Sequence, residues 1–379
     1  MKSEFVFNDQ RIFDEFCNSR CKYCGGFYPS EFHLNFNGDK TIKMPACWQN
    51  RIRENQNLSK RMPLKPKVSD FFNLGKKVLA AVERIADYKI LKLSGGEIFL
   101  YDDIVDFIES INKNYAAIQL LTNSLALTPK KIDRLAALGN VYFQISLDGV
   151  SGKTNFARNG NGAAVEKILG NIEQILKNNI GLEINCVLTK YNTDSFETML
   201  EYFKGAKNFV IVPRPVRGGS RKILNFSDDQ LQNFKKTVIG KYNSYSDILP
   251  PKKYLERLID VMENGRRNWN CYVPFYVMGV DNYGDIGACT RTDDLPMLGN
   301  IFDNPRKIDK IFKSHKNYAP ASKPEPCSYC IIQYEMMNLY TEGIISQAEM
   351  EKIPSFKIPG VMERVDGIKK RLIALRMVK

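Results

Sequence analysis

From Val68 onward the apolar residues of this chain fall into two alternating periods. Phe71, Leu74, Val78, Leu79, Val82 and Ile85 recur at helical spacing, and the short strand pattern Lys89-Ile90-Leu91-Lys92-Leu93 then ends in Ser94-Gly95-Gly96. Strand, glycine turn and helix make one βα unit. The alternation continues and predicts helix 102–112, strand 117–122, helix 129–138, strand 141–147, helix 163–177, strand 182–188, helix 194–203 and strand 209–212. Upstream, the apolar runs 5–7 and 11–16 supply a first strand, which brings the count to six repeats. A parallel βα barrel or open sheet is the economical architecture, with functional groups expected at the C-terminal ends of the strands.

The pattern changes on either side of these repeats. Residues 25–66 show no clear period, are rich in Asn, Lys and Arg, and are long for a structureless connection, which marks a lid, a substrate loop or an irregular insertion. After about residue 220, helices are predicted over 228–242 and 254–262. Next comes a β-hairpin, in which 275–280 and 285–289 flank an Asn282-Tyr283-Gly284 turn. Val361, Val365, Ile368, Leu372 and Leu375 give an amphipathic C-terminal helix.

The cysteines change the picture. Cys17, Cys21 and Cys24 lie within eight residues just after the first strand, and Cys271, Cys289, Cys327 and Cys330 form a second set around the hairpin. Soft thiolates select iron–sulfur clusters or zinc. Three local thiolates without a nearby fourth leave one iron of a [4Fe-4S] cluster open, whereas His33 or Cys47 could instead complete a zinc knuckle. The second set suits zinc as well on spacing alone. Cys186 and Cys47 fall outside both sets. Each reads as a buried thiol or a reactive one, and Cys47 is a candidate catalytic residue if exposed.

The spacing Cys17-x3-Cys21-x2-Cys24, with Tyr23 before the last cysteine, resembles the cluster loop of the radical S-adenosylmethionine (radical SAM) superfamily. Ser94-Gly95-Gly96-Glu97 resembles that family's Gly-Gly-Glu motif, and Ser146-Leu147-Asp148-Gly149 sits where such proteins carry a similar tetrapeptide. Cys271, the hairpin before Cys289, Leu298-Gly299-Asn300 and the late Cys327-Ser328-Tyr329-Cys330 resemble the twitch domain, a shorter relative of the SPASM extension.

The resemblance implies a partial (βα)6 barrel with a small C-terminal hairpin-plus-helix iron–sulfur extension. The corresponding division is 1–220 for the barrel, 221–265 for a helical linker, 266–345 for the auxiliary-cluster domain and 346–379 for a helical tail. It implies S-adenosylmethionine (SAM) and two [4Fe-4S] clusters as cofactors. Cys17, Cys21 and Cys24 would hold the first cluster and Cys271, Cys289, Cys327 and Cys330 the second. Tyr23, Gly95, Gly96, Glu97, Asn123, Ser146 and Arg158 would bind SAM. Arg158, Arg214 and Arg217 are candidate substrate contacts. The implied chemistry is reductive cleavage of SAM to a 5′-deoxyadenosyl radical that abstracts a carbon-bound hydrogen.

A coordinatively closed second cluster suits an oxidation. With sixteen residues ahead of Cys17, the expectation leans to a small molecule such as a sugar or cyclitol, with a peptide or protein substrate as the alternative, and an iron–sulfur electron carrier or redox sensor as the non-catalytic one.

Composition narrows the partners. A chain of 379 residues, 44% hydrophobic, can bury one large core or two domains, and no stretch is long and apolar enough to span a bilayer. The absence of a secretory signal pattern leads to a cytoplasmic expectation. A net charge of +13 favours an acidic partner, such as a flavodoxin or ferredoxin electron donor. No basic-aromatic interleaving or nucleic-acid module is present. With only His33 and His315, His-based acid–base chemistry is poorly supplied.

Overall fold

The computed structural model describes residues 2–13, 17–19, 21–24, 68–217, 220–287, 289, 297–313 and 325–378. The insertion 25–66 with Cys47 and His33, and also His315, lies outside them.

Six strands lie side by side in chain order: β1 (Ser3–Phe13), β2 (Ala86–Gly95), β3 (Ala117–Thr122), β4 (Val141–Ser146), β5 (Leu182–Leu188) and β6 (Phe209–Pro215). All five pairings between them are parallel. The crossovers are α1 (Val68–Ile85), α2 (Ile104–Ile111), α3 (Pro129–Ala136), α4 (Gly162–Lys177) and α5 (Phe196–Phe203). The result is the expected mixed α/β fold with a partial-barrel arrangement of a parallel sheet. Its start signals are local. Thr128 accepts from Lys131 N ahead of Pro129, and Asn161 accepts from Ala163 N and Ala164 N, capping α3 and α4.

Among the mostly apolar buried residues of the strands, one row is polar. Register partners Asp9 and Lys92, then Lys92 and Gln119, then Gln144 and Glu183, lie side by side along the sheet. Lys92 Nζ stands 3.3 Å from Asp9 Oδ2, and Gln144 donates to Glu183 at 3.1 Å. Tyr334 closes over this layer, donating to Asp9 Oδ2 at 3.1 Å with its ring 5.1 Å from that of Phe7.

β1 is one strand rather than the two expected apolar runs, because its central Asn8, Asp9 and Gln10 are buried in the sheet despite being polar. β6 extends past the expected residue 212 through Pro213-Arg214-Pro215, so Arg214 lies on the strand rather than after it. β6 ends the sheet, and an outermost strand tolerates proline because one side needs no N–H donors. The helix expected over 228–242 is divided into α6 (Asp228–Lys235), a π-helical turn (Lys236–Gly240) and a short turn at Tyr242–Tyr245. α7 follows at Lys252–Asn264.

The hairpin is present as β7 (Val277–Asp281) and β8 (Asp285–Gly287), joined at Gly284 with φ +86°. A Cβ there would lie 2.5 Å from Ile301 Cγ2, so both the backbone angle and the packing call for glycine. β9 (Met297–Asn300) pairs antiparallel with β8. β7 runs parallel to β1, from Phe7 beside Val277 to Arg11 beside Asp281, so the hairpin continues the barrel sheet. α8 (Pro305–Lys313), α9 (Glu335–Thr341) and α10 (Val361–Ala374) follow. α10 buries Val361, Val365, Ile368 and Leu372 as its periodicity predicts, whereas Leu375 is exposed. No helix among the described residues is long and apolar enough to cross a membrane.

Candidate functional site

The described residues of the cysteine loop are pinned at the C-terminal rim of the sheet by backbone contacts. Lys22 N donates to Ala157 O at 2.7 Å, Cys24 N to Cys21 O at 3.1 Å, and Ser220 Oγ to Lys22 O at 3.3 Å. The sulfurs are met by donors. Ser19 N reaches Cys17 Sγ at 3.4 Å, Ser19 Oγ lies 3.4 Å from Cys21 Sγ, and Asn123 Nδ2 stands 3.8 Å from Cys17 Sγ. Arg158 Nη1 is 4.0 Å from Cys21 Sγ. Burial pushes the Cys17 thiol up to about 12; the Ser19 N–H offsets this, while Glu97, Cys21 and Cys24 reinforce it. That placement gathers three thiols with N–H and O–H donors directed at two of them, which suits a negatively charged thiolate-bound group.

Asp148 holds the loop from below. Its Oδ1 accepts from Arg158 Nη2 at 3.0 Å and Val187 N at 2.9 Å, and its Oδ2 accepts from the Tyr23 hydroxyl. Asn155 Oδ1 and Asn192 Nδ2 bind its backbone N and O at 2.8 and 2.7 Å. Arg158 also lies over the Tyr23 ring, 5.4 Å from the centroid. Burial disfavours the Arg158 cation, but Asp148, then Tyr23 and Cys21, hold it above its ordinary value. Sequence reasoning singled out Ser146, Tyr23 and Arg158 but missed Asp148, which connects Tyr23 to Arg158. The available signal was an acidic residue followed by glycine two positions beyond Ser146.

Glu97 is fully buried, and both carboxylate oxygens are engaged. Oε1 accepts from Thr122 Oγ1 at 2.6 Å and Phe99 N at 3.1 Å, and Oε2 accepts from Asn123 N at 2.7 Å. Burial raises its pKa against the pull of those three donors and of Lys131. Glu97 therefore braces the end of β2 against the end of β3, and thereby sets Asn123 beside Cys17. Gly95 and Gly96 lie in the same turn, half-buried.

The second cysteine set surrounds a different cation. Cys330 N donates to Cys327 O at 3.3 Å, and Arg267 N donates to Ser328 O at 2.6 Å. Burial disfavours the Arg267 cation; Glu335, 2.9 Å away, and then Cys271, Cys330 and Cys327 reverse this and raise its pKa. Glu335 also takes Arg257 at 2.6 Å and Trp269 Nε1 at 2.5 Å. Arg217 Nη1 donates to Cys330 Sγ at 3.3 Å from the barrel side. Cys289 follows β8 by two residues and is half-buried. Among the described residues no three Cys, His, Asp or Glu side chains converge tightly enough for one metal ion.

A family model for the radical SAM superfamily matches residues 12–203, from the end of β1 through α5. The chain belongs to the radical SAM superfamily. Curated relatives include the mycofactocin maturase MftC of Mycobacterium tuberculosis, 27% identical over 263 residues, covering 67% of this chain and 66% of the relative. The AdoMet-dependent heme synthase of Methanosarcina barkeri is 30% identical over 115 residues, 30% of this chain and 33% of that one. The match thus spans about a third of that synthase's length. Among solved structures, native anSMEcpe with bound AdoMet superposes with a TM-score of 0.55 at 15% identity, covering 96% of this chain and 100% of that one. Streptococcus suis SuiB superposes at 0.52 and 14% identity, covering 84% and 67%. At these identities the superpositions speak for the fold.

Membership in the radical SAM superfamily brings SAM and one [4Fe-4S] cluster with it, and the matched stretch contains the Cys-x3-Cys-x2-Cys run of Cys17, Cys21 and Cys24. The remaining residues singled out from the sequence group as follows. Tyr23, Asn123 and Arg158 come together at the loop, Glu97 joins them through Asn123, and Ser146 ends β4. Arg214 and Arg217 lie between the loop and the second cysteine set. Cys47 falls outside the described residues. Cys186 is fully buried, with Asp148 O and Asn192 Nδ2 each 3.7 Å from its sulfur, which fits a structural thiol.

Proposed function

We propose that this radical SAM enzyme modifies a peptide or protein substrate and holds a second, auxiliary [4Fe-4S] cluster in the extension that begins near Cys271. The observation that carries the peptide reading is the 263-residue alignment with a mycofactocin maturase, which is longer than the barrel match alone. A relative named as a PqqA peptide cyclase and the solved complex of SuiB with its precursor peptide SuiA point the same way. The sugar or cyclitol oxidation expected from the sequence has no support in these relatives. Oxidoreductase chemistry with the second cluster as electron acceptor is part of the proposal.

The bound cluster and SAM supply a reductively generated radical that removes a carbon-bound hydrogen. The chain's own residues orient and shield. Gly95 and Gly96 leave backbone exposed where a Cβ would obstruct an approaching SAM, and Ser146 offers a hydroxyl on the interior face of β4. Glu97 acts by positioning Asn123, and Asp148 by positioning Tyr23 and Arg158. At the second set, Cys271, Cys289, Cys327 and Cys330 would bind the auxiliary cluster, with Arg267 and Arg217 supplying positive charge to it. The division at about residues 220, 265 and 345 belongs to the same proposal. An acidic donor such as flavodoxin or ferredoxin would meet the exposed face beside Cys24, where Lys22 Nζ lies 3.6 Å over the Phe156 ring.

Two measurements test this reading. Anaerobic reconstitution of wild type and of a Cys17→Ala, Cys21→Ala, Cys24→Ala variant should give about eight and about four irons, as two four-iron clusters require. About four and none, with zinc in both, would remove the auxiliary cluster. Incubation with SAM, reductant and synthetic peptides should then yield SAM-dependent mass losses. Peptides left unchanged under conditions that do oxidise a sugar or cyclitol would replace the peptide reading.

A further inference from the structure

Arg214 stands on the interior wall of the barrel. It is the register partner of Val187, while Asn185 is the partner of Ser146, so these side chains share the face that carries Lys92, Gln144 and Glu183 lower down. The two buried arginines among the described residues each have a carboxylate, Arg158 with Asp148 and Arg267 with Glu335, and half-buried Arg257 has Glu335 and Glu342. Among the described residues Arg214 has none within ion-pair distance. Its Nη2 donates to Gln333 Oε1 at 2.9 Å, and its Nε, like those of Arg158 and Arg267, is buried without a partner, so the missing carboxylate is what sets Arg214 apart.

A cation taken from water without an anion is costly. Burial, together with Arg217 and Arg158, pushes the Arg214 guanidinium down to about 10, against the pull of Tyr254 and Cys330. On the same wall, about two residues lower along the neighbouring strand, Asn185 Oδ1 is a buried acceptor that also lacks a partner. An unmet donor with positive charge and an unmet acceptor, roughly 6–8 Å apart, match a carboxylate and a nearby amide N–H.

We propose that Arg214 anchors a substrate carboxylate in the space between the two cysteine sets, and that Asn185 accepts an amide N–H beside it, so that the enzyme selects an acidic residue within its peptide. The choice of a peptide rests on the reading above; the anion site rests on Arg214 itself. Arg214 is then a specificity-determining residue, and Arg158 and Arg217 strengthen the field around it.

The test uses the protein with both cysteine sets loaded with iron and sulfide and with SAM present. Binding of N-acetyl-glutamate N-methylamide and of its neutral counterpart N-acetyl-glutamine N-methylamide is measured by calorimetry. Wild type should bind the carboxylate at least tenfold more tightly. Arg214→Gln should abolish the preference, and Arg214→Lys, which keeps a cation, should retain several-fold. Equal binding of the two probes by wild type, or a preference that survives in Arg214→Gln, overturns the proposal. So does inorganic phosphate binding in place of the carboxylate. Weakened SAM binding by Arg214→Gln would give the anion to the cofactor, and iron loss from the second set would give it to Cys330; either overturns it as well. Because the readout is binding, a carboxylate preference without any peptide mass change would leave this site standing while the peptide-modifying reading fails.

Discussion

Asp148→Asn keeps the side-chain volume and removes the charge that connects the cysteine loop to the barrel. Three side-chain bonds converge on this carboxylate, from Arg158, Val187 and Tyr23, and its side chain is fully buried while that of Arg158 is 8% exposed. Bonds to a charged partner contribute about 1.5–3 kcal/mol each, and neutral ones about 0.5–1.5. Neutralising the acceptor therefore costs about 1 kcal/mol per bond and about 3 kcal/mol in all. This agrees with the roughly 3–5 kcal/mol for breaking one side of a buried ion pair. Three kcal/mol is about a hundredfold in an equilibrium. The expectation is a loss of about 3 kcal/mol in urea unfolding of the cluster-free protein, and iron released to a chelator far faster than from wild type. Tyr23→Phe removes one bond and should cost about 1 kcal/mol. The double variant should cost less than the sum, because both act on the same bond. An Asp148→Asn variant within 1 kcal/mol of wild type, with unchanged iron retention, would refute the claim that this carboxylate fixes the loop.

Glu97→Gln leaves the Asn123 N–H facing an amide that cannot accept on one side, and should cost about 1–3 kcal/mol while weakening SAM binding, read by calorimetry. Burial raises the Glu97 pKa, so its contribution is fully present below the ordinary glutamate range and is lost as pH rises through the raised value; wild type should lose stability across that interval, and Glu97→Gln should not. Iron requires thiolates while burial holds Cys17 protonated up to about 12, so cluster uptake should release protons and proceed more readily as pH rises from 7 to 9, with a flat profile counting against the buried thiol. Glu335→Ala strands Arg267 and takes one of the two carboxylates of Arg257, and should cost about 3–5 kcal/mol, with iron lost from the second cysteine set before the first. Gly284→Ala meets both a positive φ and Ile301 and should cost about 2 kcal/mol or more in thermal unfolding.

The sequence was legible wherever one period ran uninterrupted. β3 and β5 occupy the residues expected of them, because apolar residues dominate each run and polar exceptions such as Gln119 and Glu183 are flanked by them. β1 and β6 were blurred by residues that a strand pattern does not admit. Asn8, Asp9 and Gln10 look like a turn until a second layer of polar partners inside the barrel is seen, and Pro213 and Pro215 look like a stop until the strand proves to be outermost. At the site, the cysteines and Gly-Gly-Glu were readable as motifs, but the roles of their neighbours depended on three-dimensional pairing. The motif names Glu97 as a cofactor contact; that it is also a brace shows only in its hydrogen bonds from Thr122, Phe99 and Asn123. Asp148 was hidden because its partners lie 125, 10 and 39 residues away.

The parallel seam between β1 and β7 limits how this protein can be cut. A fragment ending near residue 265 would keep the family motif and all six barrel strands, yet it would leave β1 from Phe7 to Arg11 with a row of unsatisfied N–H and C=O groups along the side that β7 occupies in the whole chain. Such a strand is a template for the next molecule. Removing the extension to isolate the first cluster should therefore yield aggregates rather than a simpler enzyme, and dissection of the two cysteine sets is better done by point substitution than by truncation.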